Sequence, residues 1–182
     1  MCHIQKYGCY DVHLYLHIMK HLLYSVIFLL SFTLIQFPPS EAHADKLAWL
    51  AKCAPYRAQV EAILVEENIS LDYYYLLVAE SKCTINAISS EGAMGFWQML
   101  RSTAKHYGCD DPHDLEDATR AAAAYIKHLQ ESFSTFDDVI AAYNMGGHNL
   151  KKRGRTQAAK NLVFTVKYLK NLDIKHPNGV AE

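Results

Sequence analysis

Residues 78–99 read VAESKCTINAISSEGAMGFWQM. An apolar run ends there on one carboxylate, Glu80. Small and polar residues follow, then Gly92 and Gly95, then the cluster Phe96-Trp97-Gln98. Packing alone does not call for a glutamate at the end of an apolar helix with a bend behind it. Glu80 falls near the C-terminal end of a helix read over residues 71–82, where the backbone dipole is negative. Leu76, Leu77, Val78 and Ala79 flank it. The dipole and the apolar flanks both disfavour the charged form, which predicts a raised pKa. A carboxyl that stays protonated near neutral pH is what glycosidic cleavage requires, because the leaving oxygen must receive a proton. Taken alone, Glu80 reads as a surface residue paired with Lys82 or an arginine.

Working outward, the chain is patterned for helices. Val60, Ile63 and Leu64 give helical spacing within residues 56–67. Ser70 is placed to cap the next helix, with Asp72 in its first turn and Leu71, Tyr74, Tyr75 and Val78 at i, i+3, i+4, i+7. Ala122, Tyr125, Ile126, Leu129 and Phe133 mark a further helix starting near Asp117. Asp137-Asp138 open a short helix that Gly146-Gly147 close, acids at the positive end and glycine after the last turn. Leu162, Val163, Val166 and Leu169 mark the last. No strand alternation is convincing, although residues 92–99 can hold a small β-excursion. The expectation is one mainly α domain.

Composition bounds the function. The net charge is −1, so no basic excess exists to neutralise nucleic-acid phosphates. The twelve tyrosines suit sugars, but tyrosine is also an ordinary half-buried residue, so the count decides nothing. At the N-terminus, Met19-Lys20-His21 precede a mostly apolar run at residues 22–37. Pro38-Pro39 and then Ala42-His43-Ala44 follow. This is the pattern of a cleavable export leader with an A-x-A site. No cysteine follows the run closely, so it is not the pattern of a lipidated leader. The expected organisation is a leader region at 1–44, with Met19 a candidate start, and a domain at 45–182. Export permits disulfides, and the domain keeps Cys53, Cys83 and Cys109, enough for one internal pair. The helices at 56–67 and 71–82 are similar in length and closely connected, so they should form an antiparallel hairpin that brings Cys53 to Cys83. Cys109 competes for Cys83. Cys109 with His106 and His113 matches no zinc spacing, so no metal and no cofactor are expected.

Four segments, in order, resemble the lytic transglycosylases of the lysozyme-like superfamily, the soluble lytic transglycosylase-type domain that cuts peptidoglycan. They are Glu80-Ser81, Gly95-Phe96-Trp97-Gln98, Ala141-Ala142-Tyr143-Asn144-Met145-Gly146 and Thr165-Val166-Lys167-Tyr168. The Trp-Gln form and the stretch DATRAAAAYIKHL at 117–129 are similar to the branch typified by membrane-bound transglycosylase D. The resemblance implies a lysozyme-like helical fold and one role per matching position. Glu80 is the single catalytic acid and base. Ser89 and Gln98 line the cleft and hydrogen-bond sugar. Tyr143 and Asn144 contact the acetamido region, and Tyr168 orients Glu80. Trp97 reads as packing and Glu91 as solvated. Cys83 stands where the family has an aromatic residue.

Most glycosidases flank the bond with two carboxylates. Asp110, Asp111, Asp114, Glu116 and Asp117 read instead as turn and cap residues. With Glu80 alone, the resemblance implies non-hydrolytic cleavage of the N-acetylmuramic acid to N-acetylglucosamine bond, leaving 1,6-anhydro ends. The alternatives are a hydrolysing muramidase on the same fold and a non-catalytic glycan-binding or assembly factor of an envelope machine. The expected setting is the periplasm, as a monomer on glycan strands, beside secretion or conjugation machinery. If the leader reading is right, N-terminal sequencing of the exported protein begins at Asp45; a retained apolar run would refute it.

Overall fold

A computed structural model describes residues 41–179, so the apolar run at 22–37 and the candidate start Met19 lie outside the described residues. The described part is a set of helices around one core, with a two-stranded hairpin. Helix α1 is Glu41–Glu66, far longer than the 56–67 read from sequence. Pro55 lies inside it. Proline cannot donate the helical hydrogen bond, so a helix starting just after it is the natural sequence reading. The tertiary structure overrides that. Leu47, Leu50 and Cys53, three residues apart on one face, are buried upstream of Pro55 and hold the first half of the helix on the core. Ala42-His43-Ala44, read as the end of a leader, form part of the first turn of α1.

The end of α1 follows from its residues. Asn68 takes a left-handed φ of 54°. The Asn68 N–H then donates to Val65 O at 3.0 Å and the Ile69 N–H to Leu64 O at 2.8 Å, with Ile69 buried behind them. This is the Schellman closure, with its apolar residue after the turn. A 3₁₀ turn, Leu71–Tyr73, follows, capped by Ser70 Oγ, which accepts from the Asp72 N–H. It leads into α2, Tyr74–Ser81. Every residue from Tyr73 to Val78 is buried, so α2 is enclosed on all sides.

The remaining elements complete the same core. Strands β1 (Ala93–Met94) and β2 (Met99–Leu100) pair antiparallel, within the stretch where a β-excursion was read. Helix α3 is Arg101–His106, α4 Leu115–Ser132, α5 Phe136–Met145, α6 Gly147–Arg153 and α7 Gln157–Lys175. Sequence periodicity does not reveal α3 or α6, each too short to show a repeat. Helix α7 packs on both α2 and α5. A buried polar clamp joins three helices. Asp173 of α7 accepts from the Tyr75 hydroxyl at 2.8 Å and from the Arg57 guanidinium, and its other oxygen accepts from the Asn178 N–H at 2.8 Å. Breaking one member of so buried an ionic set strands the rest.

Cys53 and Cys83 are bonded to each other, their Cα atoms 5.3 Å apart, and Cys109 is free and buried. The bond spans a sequence separation of 30 and ties α1 to the residues just past α2. Opening it frees the unfolded chain, so Cys53→Ser with Cys83→Ser should cost about 3–4 kcal/mol, or roughly 10 °C in Tm. Thermal unfolding with and without reductant measures this; an unchanged Tm would show that the loop is not held by the bond.

Candidate active site

Glu80 is the penultimate residue of α2. The helix stops abruptly beyond it. Lys82 and Cys83 both take left-handed φ, 51° and 50°, unusual for residues with side chains. The disulfide holds Cys83. Ser81 is buried, its hydroxyl donating to Leu77 O at 3.3 Å and accepting from the Cys83 N–H at 3.1 Å. Ser81, noted in the sequence only as part of a pair, therefore fixes the corner that leaves Glu80 at the helix end. Among the described residues the Glu80 carboxyl has no hydrogen-bond partner. Burial pushes it up from 4.5 to about 7. The direction is the one read from sequence, and desolvation is its cause.

The second wall comes from the hairpin and α5. Gly95 takes φ 72°, and a Cβ there would lie 1.7 Å from Pro112 O, so only glycine lets the hairpin seat against that loop. Its close neighbour is the protein's own backbone. Gln98 also takes a left-handed φ of 47°. Its side-chain N–H₂ donates to Gly95 O at 2.9 Å and Ala87 O at 3.2 Å, which pins the amide. Trp97 is fully buried, with Nε1 donating to Thr119 Oγ1 at 2.9 Å, a packing residue as read. From α5, the Tyr143 hydroxyl donates to Trp97 O at 2.9 Å. Burial, with the Glu80 carboxylate second, pushes the Tyr143 phenol well above 10.0, which places Tyr143 within electrostatic reach of Glu80.

Gln98, Tyr143 and Asn144 line one cleft of about 570 Å³. Met99, Tyr125 and Glu91 line it too, none of them singled out for the site from sequence. Tyr125 was legible only as a core position of a helical repeat; its ring packs 5.2 Å from both Tyr107 and Tyr143. Glu80, Ser89 and Tyr168 are not among the lining residues. Ser89 Oγ accepts from the N–H groups of Glu91 at 3.2 Å and Ala93 at 3.1 Å and so shapes the turn into β1. The Tyr168 hydroxyl lies 2.7 Å from His43 Nδ1, and among the described residues no hydrogen bond joins it to Glu80. The tyrosine whose phenol the Glu80 charge reaches is Tyr143. Cleavage after Ala44 would remove His43 and leave the Tyr168 hydroxyl without this partner.

The acidic loop supplies caps. Asp114 Oδ1 accepts from the Asp117 N–H at 2.9 Å, Asp111 Oδ1 from the His113 N–H at 3.0 Å, and Glu116 pairs with Arg120 at 3.0 Å. Among the described residues no group of three His, Cys, Asp or Glu side chains is placed to hold a metal ion.

Residues 65–172 match the family described as Transglycosylase SLT domain. A protein of Alteromonas sp. (strain M-1) named for tributyltin chloride resistance is 26% identical over 136 residues, 69% of this chain and 66% of that one. Membrane-bound lytic murein transglycosylase D of Escherichia coli (strain K12) is 25% identical over 116 residues, 60% of this chain and 26% of that one. The chain thus spans about two thirds of the first relative and about a quarter of the second. An inactive mutant of the lytic transglycosylase Slt from Pseudomonas aeruginosa superposes with a TM-score of 0.57 at 19% identity, covering 69% of this chain and 25% of that one. It shares the fold, a lysozyme-like helical domain.

The raised Glu80 pKa has a consequence for stability. Below 4.5 the carboxyl is neutral folded or unfolded, so it costs nothing. Between 4.5 and about 7 the unfolded chain ionises first, and stability falls as pH rises. Glu80→Gln removes the penalty. Its stability should match the wild type near pH 4 and exceed it increasingly towards pH 7.5, by a few kcal/mol at most, with Tm rising in parallel. A Tm difference flat across that range would mean that Glu80 is not desolvated.

Proposed function

We propose that this chain, which belongs to the transglycosylase SLT domain family, is a peptidoglycan lytic transglycosylase acting on murein glycan strands in the cell envelope. The observation that carries the reading is the placement of Glu80. One carboxyl, kept protonated up to about pH 7 by burial, stands at the end of a buried helix, and its charge reaches Tyr143, which lines a polar cleft.

One such group can do both proton transfers. Protonated Glu80 donates to the glycosidic oxygen as the bond between N-acetylmuramic acid and N-acetylglucosamine breaks. The resulting carboxylate then takes the proton from the C6 hydroxyl as that oxygen attacks C1. Glu80 ends protonated, ready for the next cycle, and no water is consumed. The N-acetyl group of the muramyl sugar supports the electron-poor C1. Asn144, whose amide offers both donor and acceptor, and Gln98, whose N–H₂ is held by Gly95 O and Ala87 O and whose carbonyl is left to accept, suit the acetamido groups of the strand. Ser89 acts at one remove, by shaping the turn that carries the hairpin. Tyr168 orients Glu80 only after His43 releases it. The domain is exported by a leader ending at Ala44 and works as a monomer in the periplasm. Local wall opening for an envelope secretion or conjugation machine suits a domain of this kind. A second reading has one observation in its favour. Glu91 lines the cleft, so a hydrolysing muramidase would use it to activate water.

Digestion of purified sacculi with mass spectrometry of the products separates these. The expected muropeptides end in 1,6-anhydro-N-acetylmuramic acid, lighter by one water than hydrolytic ends. Glu80→Gln should lower turnover between about a hundred- and ten-thousandfold with the fold intact, whereas Glu91→Gln should leave the product type unchanged. Reducing ends that vanish in Glu91→Gln would establish the muramidase, and an active Glu80→Gln would remove Glu80 from the mechanism.

A further inference from the structure

Three contacts join the first half of α1 to the chain just past Glu80. Trp49, Lys52 and Cys53 share little more than one turn of α1. They meet consecutive residues beyond α2. The Lys82 ammonium lies over the Trp49 ring at 4.4 Å. Cys53 is bonded to Cys83, their Cα atoms 5.3 Å apart. Lys52 Nζ donates to Thr84 Oγ1 at 2.8 Å. The corner they grip needs holding. Lys82 and Cys83 take φ of 51° and 50°, a left-handed pair that side chains disfavour. Its own backbone supplies little: the Lys82 N–H donates to Val78 O and the Thr84 N–H to Ser81 O, each at 3.0 Å. Helix α2 runs only from Tyr74 to Ser81, and Glu80 stands in its last turn, where carbonyls lack intrahelical partners. A corner that relaxes towards right-handed backbone therefore unwinds the turn that carries Glu80.

We propose that this turn of α1 positions Glu80 for proton transfer through the Cys53–Cys83 bond, so that the acid is held in place only when the pair is oxidised. Trp49, Lys52, Cys53 and Cys83 are positioning residues, and none of them lines the cleft. The inference rests on the reading of Glu80 as the acid. Reduction breaks the Sγ–Sγ bond. A dithiol such as dithiothreitol gives two electrons and two protons, Cys53 and Cys83 become thiols, and the reductant closes into its own cyclic disulfide. The Lys82 and Thr84 contacts are exposed and too weak to hold the corner alone. A freed corner moves the carboxyl out of line with the glycosidic oxygen and lets water reach it. Gln98 and Tyr143 stay in place, because each is pinned through bonds of its own. The proton step slows while glycan binding is kept. The site is thus complete only in a compartment where thiols oxidise.

The test compares murein turnover by the oxidised wild type, the wild type in dithiothreitol, and Cys53→Ser with Cys83→Ser, all well below Tm with the helix signal checked by circular dichroism. In both forms lacking the bond, kcat should fall about ten- to a hundredfold with KM little changed, the scale of a misplacement of about 1 Å. The fall of activity at high pH, set near 7 by burial of Glu80, should move down towards 4.5 as water reaches the carboxyl. The Tyr143 phenol, which the Glu80 charge reaches, stays protonated throughout this range, so the shift reports Glu80. Oxidised glutathione should restore the reduced wild type and not the double variant. Leu64→Ala is the control for stability alone. It empties a fully buried position about three turns further along α1, so it should lower Tm and move neither kcat nor the pH profile. Trp49→Ala keeps the bond and should lower kcat about two- to fivefold, the factor equivalent to an exposed cation–π contact. An unchanged kcat and pH profile on reduction, or equal changes in Leu64→Ala, overturn the inference. If the reduced forms unfold, Trp49→Ala decides, and an unaltered kcat there overturns it. The Glu80 carboxyl is also titrated by carbon-13 NMR with and without reductant, which needs no turnover. A pKa that drops on reduction in a protein that cuts no murein refutes the transglycosylase reading and leaves the grip standing, whereas an unmoved pKa overturns the grip.

Discussion

A helix that is apolar on every side must be enclosed, and any charge on it is then either at an end or costly. Helix α2 is such a helix, with Tyr73 through Val78 buried. Helices α1, α5 and α7 and the hairpin exist in relation to it: α1 and α7 pack on it directly, and α5 packs on α7. Glu80 is tolerated because it stands in the last turn, past the fully buried run. The same enclosure supplies the desolvation that moves its pKa to about 7. Fold stability and acid strength are therefore set by one constraint, which is why the ionised carboxylate weakens the fold it belongs to.

Holding that end still takes more than packing. Two consecutive left-handed residues follow Ser81, an arrangement that side chains resist. The disulfide from α1 and the doubly bonded Ser81 hydroxyl hold them. On the far side, the Asp173 clamp ties α7 to α1 and α2, so the walls around Glu80 cannot drift independently. The cleft is built from rigid parts: Gln98 is pinned through its own amide, and Tyr143 through the Trp97 carbonyl. Preorganised polar groups of this kind lose little freedom when a sugar binds.

Cys83 closes the corner from the outside. It is covalently joined to Cys53 and is only 3% exposed. The residue before it, Lys82, turns its ammonium over the Trp49 ring at 4.4 Å. The corner is thus closed by a bond and a cation–π contact.

Sequence alone determined the elements whose information is local. Ser70 as a cap, the spacing Leu71-Tyr74-Tyr75-Val78, the acids and glycines around α5, the turn-forming acids at 110–117 and the apolar flanks of Glu80 all act within a few residues of themselves. The order of the four motifs was equally legible, because it is a property of the string. Tertiary structure decided what depends on distant partners. The first half of α1 persists through Pro55 only because Leu47, Leu50 and Cys53 find a core. Gly95 is required by Pro112, which lies beyond the hairpin in sequence. Tyr143 comes within electrostatic reach of Glu80, and Tyr168 meets His43, 125 positions away. A hydroxyl carries no mark in the sequence of which partner it will find; that is settled by which helices the buried apolar surface brings together.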